Sequence, residues 1–208
     1  ALNCSGADEL EVEGDLELAA MTPASSTVRL SGGEQTLTLK GTTLCALALA
    51  NAKTVVSGDL VAASLSAGNG KDAFEVVFGA GAGVKLNTMT VAGDAETKNG
   101  VLRCATAGGQ WNLSVDDAHV SGVTVSGSDA SKGVTVVPTD CVDGGDNVNW
   151  LFVDNRTHWT GALNTDFANA SNWSDGVPTA TKDAVIEGDV GGIIASAAAA
   201  GNFTVNPG

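Results

Sequence analysis

The chain has 208 residues and a formal net charge of −14, and 43% of its residues are hydrophobic although only 4% are aromatic. Its ten Lys and Arg are spread thinly and do not form the clusters of cations that nucleic acid binding requires, so we expect no nucleic acid partner. The same charge disfavours anionic membrane surfaces, and because no run of about 18 apolar residues is present, we expect no insertion into a membrane.

Apolar and polar residues alternate along most of the chain, which predicts strands with one buried face. The first such run is LEVEGDLEL, in which Leu10 and Val12 alternate with acids. Similar runs follow at 36–40, 83–91, 111–115, 122–125 and 133–137. Gly, Asn and Asp turn signals separate these runs, and no window of helical length shows a sustained helical period, so the sequence predicts an all-β protein.

Two architectures fit short strands with frequent turns: an antiparallel β-sandwich and a parallel β-solenoid. The inward residues are uniformly Val and Leu, and Ser, Thr and Asn stand where stacked turns would form ladders. We therefore predict a parallel β-helix or β-solenoid-like fold, with the β-sandwich as the alternative. The solenoid-like body is expected to span residues 1–145, and an irregular Trp-rich junction with a C-terminal strand that completes a neighbouring unit is expected to span 146–208.

The predicted junction holds Trp150, Trp159 and Trp173. Two roles remain open for these side chains. If they are buried against Pro178 and Val185, they plug the end of a solenoid, where core and unpaired backbone groups would otherwise be exposed. If they are accessible, they form a platform on which sugar rings stack, and the chain is a carbohydrate-binding module.

The segment HWTGALNTDFANASNWSDGVPTATKDAVI, residues 158–186, resembles a W-x-G…N-W-S-x-G-x-P-T-x-x-D-x-V-x-I repeat of very large secreted bacterial surface proteins. The preceding stretch, from LRCATAGGQWNLSV to CVDGGDNVNWLF, is similar to the β-helical portion that precedes this motif. The resemblance implies a parallel β-helical fold, a secreted or cell-surface location, and a structural, adhesive or scaffold role. It brings no catalytic residues, so we expect that the chain is not an enzyme.

The two ends of the sequence carry patterns that complete each other. GNFTVNPG at 201–208 and ALNCSGADELEVEGDLEL at 1–18, written end to start, make one continuous β-repeat. We therefore expect units to associate head to tail through terminal strands, a contact that propagates into a fibre. The alternative is that both ends fold back onto their own domain. The predicted interface residues are Leu2, Leu10, Val12, Phe203 and Val205.

These features predict a structural subunit of an extracellular filament, sheath or surface stalk whose partner is itself. The alternative is a carbohydrate-binding or adhesive module of a larger surface protein, with surface glycans as partners, and a third interpretation is a polysaccharide-cleaving enzyme. His119 and His158 are the only histidines, no G-x-S-x-G motif is present, and nothing marks Arg29, Arg103 and Arg156 as convergent. The sequence therefore offers no catalytic constellation.

The four cysteines lie far apart and include no C-x-x-C pair, which argues against a zinc site. An even number of cysteines in so polar a chain favours two disulfides in an oxidising compartment. We expect the pairs Cys4–Cys45 and Cys104–Cys141, and four buried free thiols are the alternative.

N-x-S/T sequons are candidate glycosylation sites that agree with an exterior location. Their asparagines are Asn3, Asn112, Asn155, Asn169, Asn172 and Asn202. A chain this rich in Ser and Thr also produces such sequons by chance.

The loop CVDGGDNVN places Asp143, Asp146 and Asn147 close together, and their oxygens are of the type that binds Ca²⁺. The loop lacks the spacing of an EF-hand, and a turn stabilised by Asx side chains is the favoured interpretation. We therefore expect no cofactor.

Overall fold

The computed structural model describes residues 9–19, 25–153, 156–180, 182–187, 200 and 203–206. The chain divides into two compact units, unit 1 (Ala1–Val153) and unit 2 (Asp154–Gly208). The solenoid body was predicted to end at residue 145, but it extends further. Bridges from Val148 to Asp129 and from Trp150 to Val136 attach the following residues to its last coil.

Within its described residues, unit 1 contains fourteen strands that alternate between two sheets. They are β1 (Glu9–Val12), β2 (Leu16–Ala19), β3 (Thr27–Leu30), β4 (Glu34–Lys40), β5 (Thr43–Leu49), β6 (Lys53–Ser57), β7 (Leu60–Ala67), β8 (Phe74–Phe78), β9 (Gly83–Ala92), β10 (Gly100–Cys104), β11 (Trp111–Ser121), β12 (Val123–Ser126), β13 (Ser128–Asp129) and β14 (Val142–Asp143). The odd-numbered strands form sheet A, from β1 to β13, and the even-numbered strands form sheet B, from β2 to β14.

Neighbouring strands in both sheets pair in parallel, so one odd and one even strand make one coil of a stack. This arrangement confirms the predicted all-β solenoid. The β-sandwich alternative is wrong, because the strands of a sandwich pair antiparallel through short hairpins.

The parallel register stacks similar side chains along the inside of sheet A. Leu10, Val28, Leu47, Leu65 and Met89 form one ladder from β1 to β9. The last four are at most 2% exposed, whereas Leu10 is half-buried because β3 is its only strand neighbour within the described residues. Burial of apolar surface contributes about 25 cal/mol per Å². Repeated ladders therefore give a continuous core to a chain with few aromatic residues.

Sheet A bends along one column of residues, a feature that the alternating pattern did not predict. The register omits one residue in each of β5, β7, β9 and β11: Cys45, Ala63, Asn87 and Asp116. Each is followed by a second outward-facing residue, so the alternation of faces is interrupted and the backbone turns. The bend divides the sheet into a first arm (residues 43–44, 60–62, 83–86 and 112–115) and a second arm (46–49, 64–67, 88–92 and 117–121).

A ladder of charges crosses the outer face of sheet B. Lys53 Nζ lies 3.6 Å from Glu34 Oε2 and 3.5 Å from Glu75 Oε2. Arg103 Nε donates a hydrogen bond to Glu75 Oε1. These four residues belong to β4, β6, β8 and β10, which are neighbours in the sheet, so the alternation of charge favours the native register.

Unit 2 has a smaller parallel sheet of order β15-β16-β17 within its described residues, built from β15 (Arg156–His158), β16 (Asp183–Glu187) and β17 (Phe203–Asn206). One turn of 3₁₀ helix spans Ala170–Asn172. The core is aromatic: the ring of Trp173 packs edge-on against Trp159 and Phe167, with centroids 5.1 and 4.8 Å apart.

Candidate functional site: the outer strands and the end of the solenoid

β1 is the outermost strand of sheet A within the described residues, and it carries two residues of the predicted interface. Leu10 and Val12 are half-buried at the end of the core. The Val12 carbonyl accepts a hydrogen bond from Ser31 N at 3.1 Å, so it points toward β3. Because the N–H and C=O of one strand residue share a direction that alternates along the strand, those of Glu11 point away from β3. The outer edge of β1 therefore offers backbone groups for pairing.

Acidic side chains flank this edge. Arg29 Nε lies 3.9 Å from Glu9 Oε1 and 3.7 Å from Glu11 Oε1. On β2, the Glu17 carboxylate lies 2.5 Å from Lys40 Nζ. Both basic partners come from the second coil, so part of the negative charge of the first coil is balanced within the unit. This balance reduces the repulsion that an added strand would meet.

β17 carries the other two predicted interface residues. Phe203 pairs with Ala184 and Val205 pairs with Ile186, so one side of β17 is joined to β16 of its own unit. At this end of the chain, the strand thus folds back onto its own unit, as the alternative prediction has it. β17 is nevertheless the outermost strand of its sheet in the described part of unit 2, and the Val205 side chain is 53% exposed. Leu2 lies outside the described residues.

The far end of unit 1 exposes apolar side chains that the sequence analysis missed. Within the described part of unit 1, the exposed large apolar residues all lie in this end, which we call the apolar end: Val134, Val137, Val142, Val148, Leu151 and Val153. The run LFV at 151–153 signals it, because Phe152 packs inward on the core and its two neighbours then face outward. Several large apolar side chains exposed in one region are typical of a contact surface.

The three junction tryptophans take different positions. Trp159 and Trp173 are 9% and 5% exposed and lie in the core of unit 2. Trp173 Nε1 donates to Phe167 O at 2.8 Å. These two rings are buried within unit 2 and offer no accessible platform for a sugar, and their role as a plug of the solenoid end stays a prediction. Trp150 is half-buried in unit 1 and stacks on Phe152 with ring centroids 5.8 Å apart.

The predicted disulfide Cys104–Cys141 is wrong, because both residues are free thiols. Cys104 is the last residue of β10, whereas Cys141 precedes β14. The pairing of Val142 with Thr124 places Cys141 level with Gly100, the first residue of β10, on a strand two positions away in the sheet. Along the strand direction, Cys104 is therefore about 13 Å from the position of Cys141, because β10 runs from Gly100 to Cys104. A disulfide tolerates only roughly 7 Å between Cα atoms.

Of the other two cysteines, only Cys45 lies within the described residues. Cys45 is free and half-buried at the bend of sheet A, and Cys4 lies outside the described residues, so the pair Cys4–Cys45 is not observed. Cys141 Sγ donates to Thr139 O at 3.3 Å. Burial raises the pKa of the Cys141 thiol, which keeps it protonated and poorly reactive near neutral pH.

Asn172, one of the candidate glycosylation sites, is fully buried. Its Nδ2 donates to Asn164 Oδ1 at 2.7 Å and to Asp166 O at 2.9 Å. Its Oδ1 accepts from Leu163 N at 2.9 Å and from Asn164 N at 3.0 Å. The side chain organises the loop 163–166, and a glycan on Nδ2 is incompatible with this packing.

The other described sequons are more accessible. Asn112 Nδ2 donates to Gly81 O at 3.1 Å, and Asn169 Oδ1 accepts from Ser171 N at 3.0 Å to cap the 3₁₀ turn. Both asparagines are half-buried. Asn3, Asn155 and Asn202 lie outside the described residues.

The acidic loop considered for Ca²⁺ is a hydrogen-bonded turn. Asp143 Oδ1 accepts from Gly145 N at 2.9 Å and from Asn147 Nδ2 at 2.6 Å. Asn147 Oδ1 accepts from Ser128 N at 3.0 Å, and Asp146 has a positive φ of 58°. Asp143 Oδ1 and Asn147 Oδ1 thus accept hydrogen bonds that stabilise the turn. Across the described part of the chain, no three His, Cys, Asp or Glu side chains are grouped to hold a metal ion.

The histidines and arginines have separate positions. His119 is exposed on β11 with Nε2 3.2 Å from Asp117 Oδ2, and His158 belongs to β15 of unit 2. Arg29 lies in sheet A and Arg103 in sheet B, each in its own ion pairs, and Arg156 belongs to β15.

Comparisons of this chain with models of protein families, with curated proteins and with solved structures found no match. The resemblance to tandem-repeat surface proteins therefore stays a prediction. In the described part of the chain, no helix has the length and apolar character needed to cross a membrane.

Proposed function

We propose that the chain is a structural unit of an extracellular filament, sheath or surface stalk, in which β17 of one copy adds beside β1 of the next. One observation carries the proposal. β1 and β17 are the outermost strands of parallel sheets, and within the described residues each has a strand partner on one side only. Edge strands of this kind are templates for pairing with another chain.

The two strands are compatible in charge and in burial. β17 has the uncharged sequence FTVN, and its Val205 side chain is accessible. In β1, Leu10 and Val12 are half-buried, whereas Val28 and Leu30, the equivalent residues of the next coil, are at most 1% exposed. An added strand would complete the burial of the first coil in the way that each inner strand covers its neighbour.

The construction of unit 1 supports a mechanical role. Each inner coil is hydrogen-bonded to a coil on either side and shares its apolar ladders with both, so load passes from coil to coil through many equivalent contacts. The apolar end provides further surface for contacts between copies. We propose the extracellular location because the sequence resembles secreted surface proteins.

The proposal is tested with a single proline in β1. Glu11→Pro removes an N–H that points away from β3 and leaves the hydrogen bonds between β1 and β3 intact, since an edge strand tolerates proline on its outer side. Glu11→Ala is the matched control, because it removes the same carboxylate and keeps the N–H. We expect filaments from the wild type and from Glu11→Ala in electron micrographs, and monomers of normal thermal stability from Glu11→Pro.

Filaments of Glu11→Pro equal in number and length to those of the wild type would overturn the pairing through β1. A wild type that stays monomeric in analytical ultracentrifugation at high concentration would overturn the filament itself.

A further inference from the structure

A groove crosses the outer face of the first arm of sheet A. Two depressions of about 340 Å³ each adjoin there, since both are lined by Val61 and Lys85. The register aligns Thr43, Val61, Lys85 and Ser114 in one row across β5, β7, β9 and β11. Lys132 lines the end of the groove beyond Ser114. We call this row and its surroundings the arm groove.

The arm groove contains cations without partners, which are rare in this chain. Of its ten Lys and Arg, five form ion pairs with carboxylates: Arg29, Lys40, Lys53, Arg103 and Lys182. Lys98 Nζ donates to Ala95 O, and Arg156 has an interaction of its own.

Three lysines remain. Within the described residues, the ammonium groups of Lys71, Lys85 and Lys132 have neither an ion pair nor a hydrogen bond. Two of these three line the arm groove. Hydrogen bonds from Ser131, with a smaller contribution from the charge of Lys132, lower the pKa of Asp129, but Lys132 makes no ion pair with that carboxylate. In a chain of net charge −14, the positive charge that is available to a ligand is thus concentrated in this groove.

The rest of the groove provides polar groups beside an apolar floor. The Asn87 and Thr43 side chains make no hydrogen bond within the described residues and are exposed. Ser114 Oγ donates to Lys132 O at 3.2 Å, which joins β11 to the turn that holds Lys132 at the end of the groove. Asp59 Oδ1 accepts from Gly83 N at 2.7 Å, so one oxygen of the only carboxylate that lines the groove is occupied by the protein.

We infer that the arm groove binds a strand of an anionic polysaccharide, a glycan that carries carboxylates or sulfates. Lys85 and Lys132 bind the anionic groups, Asn87 and Thr43 hydrogen-bond to hydroxyls, and Val61 contacts the apolar face of a sugar ring. The groove runs across strands that are about 4.8 Å apart, a repeat close to the length of one pyranose unit in an extended glycan. Successive sugars would therefore meet equivalent positions on successive coils.

Two other classes of polymer fit this surface less well. A peptide that adds as a β-strand needs a free backbone edge, but the groove lies on the face of paired strands. Nucleic acid needs many cations along its backbone, and only two line the groove. The inference concerns a different surface from the proposed filament contact and does not depend on it.

The test uses the full chain with dextran sulfate, polygalacturonate and neutral dextran in isothermal titration calorimetry. We expect binding to at least one of the two polyanions at low salt, weaker binding at high salt and no binding of dextran. Because each substitution removes a charged hydrogen-bond donor to the ligand, Lys85→Gln and Lys132→Gln should each raise Kd roughly tenfold. Lys71→Gln, at the third lysine without a partner, is the matched control and should leave Kd unchanged.

Comparison of the two polyanions distinguishes a sulfated from a carboxylated ligand. The inference is overturned if neither polyanion binds, if dextran binds as tightly, or if Lys71→Gln weakens binding as much as the groove variants. Glu11→Pro should bind like the wild type, so loss of filaments and loss of glycan binding are separate results.

Discussion

Unit 1 and unit 2 are both parallel β structures, but they are stabilised in different ways. In unit 1, similar side chains repeat along ladders such as Val28–Leu47–Leu65, so each coil is packed like the one before it. In unit 2, the strands depend on one cluster of aromatic rings around Trp173 and on one buried amide, Asn172. Stability is therefore distributed along unit 1 and concentrated in a few side chains of unit 2.

The largest expected effect comes from removing the central ring of unit 2. Trp173→Ala should destabilise unit 2 by about 3–5 kcal/mol, because it deletes a buried ring that contacts both Trp159 and Phe167 and leaves a cavity in a small core. We expect this loss to unfold unit 2 while unit 1 stays folded. Urea titrations followed by Trp fluorescence and far-UV circular dichroism should then show an early transition for unit 2 and an unchanged transition for unit 1.

Leu65→Ala is the matched substitution in unit 1. It should cost about 2–5 kcal/mol, but coils on both sides of β7 keep their own ladders, so the β signal should persist until the main transition. If Trp173→Ala shifted both transitions equally, the contrast between concentrated and distributed stability would be wrong.

A smaller effect is expected from the buried amide of unit 2. Asn172→Ala leaves the N–H groups of Leu163 and Asn164 and the carbonyl of Asp166 without their partner, and we expect a loss of about 3 kcal/mol. Hydrogen exchange at the two amides should accelerate along with the fall in stability.

Asn51 in unit 1 provides the comparison, because it is also buried. Its Nδ2 donates to Lys53 O at 2.7 Å and its Oδ1 accepts from Thr54 Oγ1 at 2.8 Å, so it supports one tight turn only. Asn51→Ala should cost about 1 kcal/mol. Equal losses from the two alanine substitutions would show that Asn172 has no special role in its unit.

Much of the fold could be predicted from the sequence, because alternation of apolar residues is the pattern of a half-buried strand. The bend of sheet A was missed although the sequence contains its signal. Four segments, LCAL, AASL, LNTM and VDDA, place two outward residues between inward ones, at 44–47, 62–65, 86–89 and 115–118. The repetition of this interruption at each coil is what indicates a stacked corner rather than an irregular strand.

The candidate site was less predictable, because it depends on register between distant segments. The alternation in β1 pointed to Leu10 and Val12, and both lie on the outermost strand of sheet A within the described residues. The number of residues per coil varies, so spacing along the chain did not show that Cys104 and Cys141 lie at opposite ends of their strands. Likewise, the sequon at Asn172 looks like a surface site until the loop that wraps around its amide is known.

The smallest expected difference between the units concerns their ion pairs. Glu75 is shared between Lys53 and Arg103 in the ladder of sheet B, whereas the Asp175 carboxylate of unit 2 has one ion-pair partner within the described residues, Lys182, at 2.5 Å. Glu75→Gln leaves Arg103 without a carboxylate partner and Lys53 with Glu34 alone, and it should cost about 1 kcal/mol at low salt, since partial exposure lets water screen the charges.

Asp175→Asn should cost only about 0.5 kcal/mol, because its carboxylate is largely exposed and Lys182 Nζ keeps its bond to the Asp175 carbonyl. Added salt should shrink both losses, which equilibrium unfolding at low and high ionic strength measures directly. A larger effect at Asp175 than at Glu75 would contradict the view that stacked coils strengthen ion pairs by sharing them. It would then place the charge-dependent stability of this chain in unit 2.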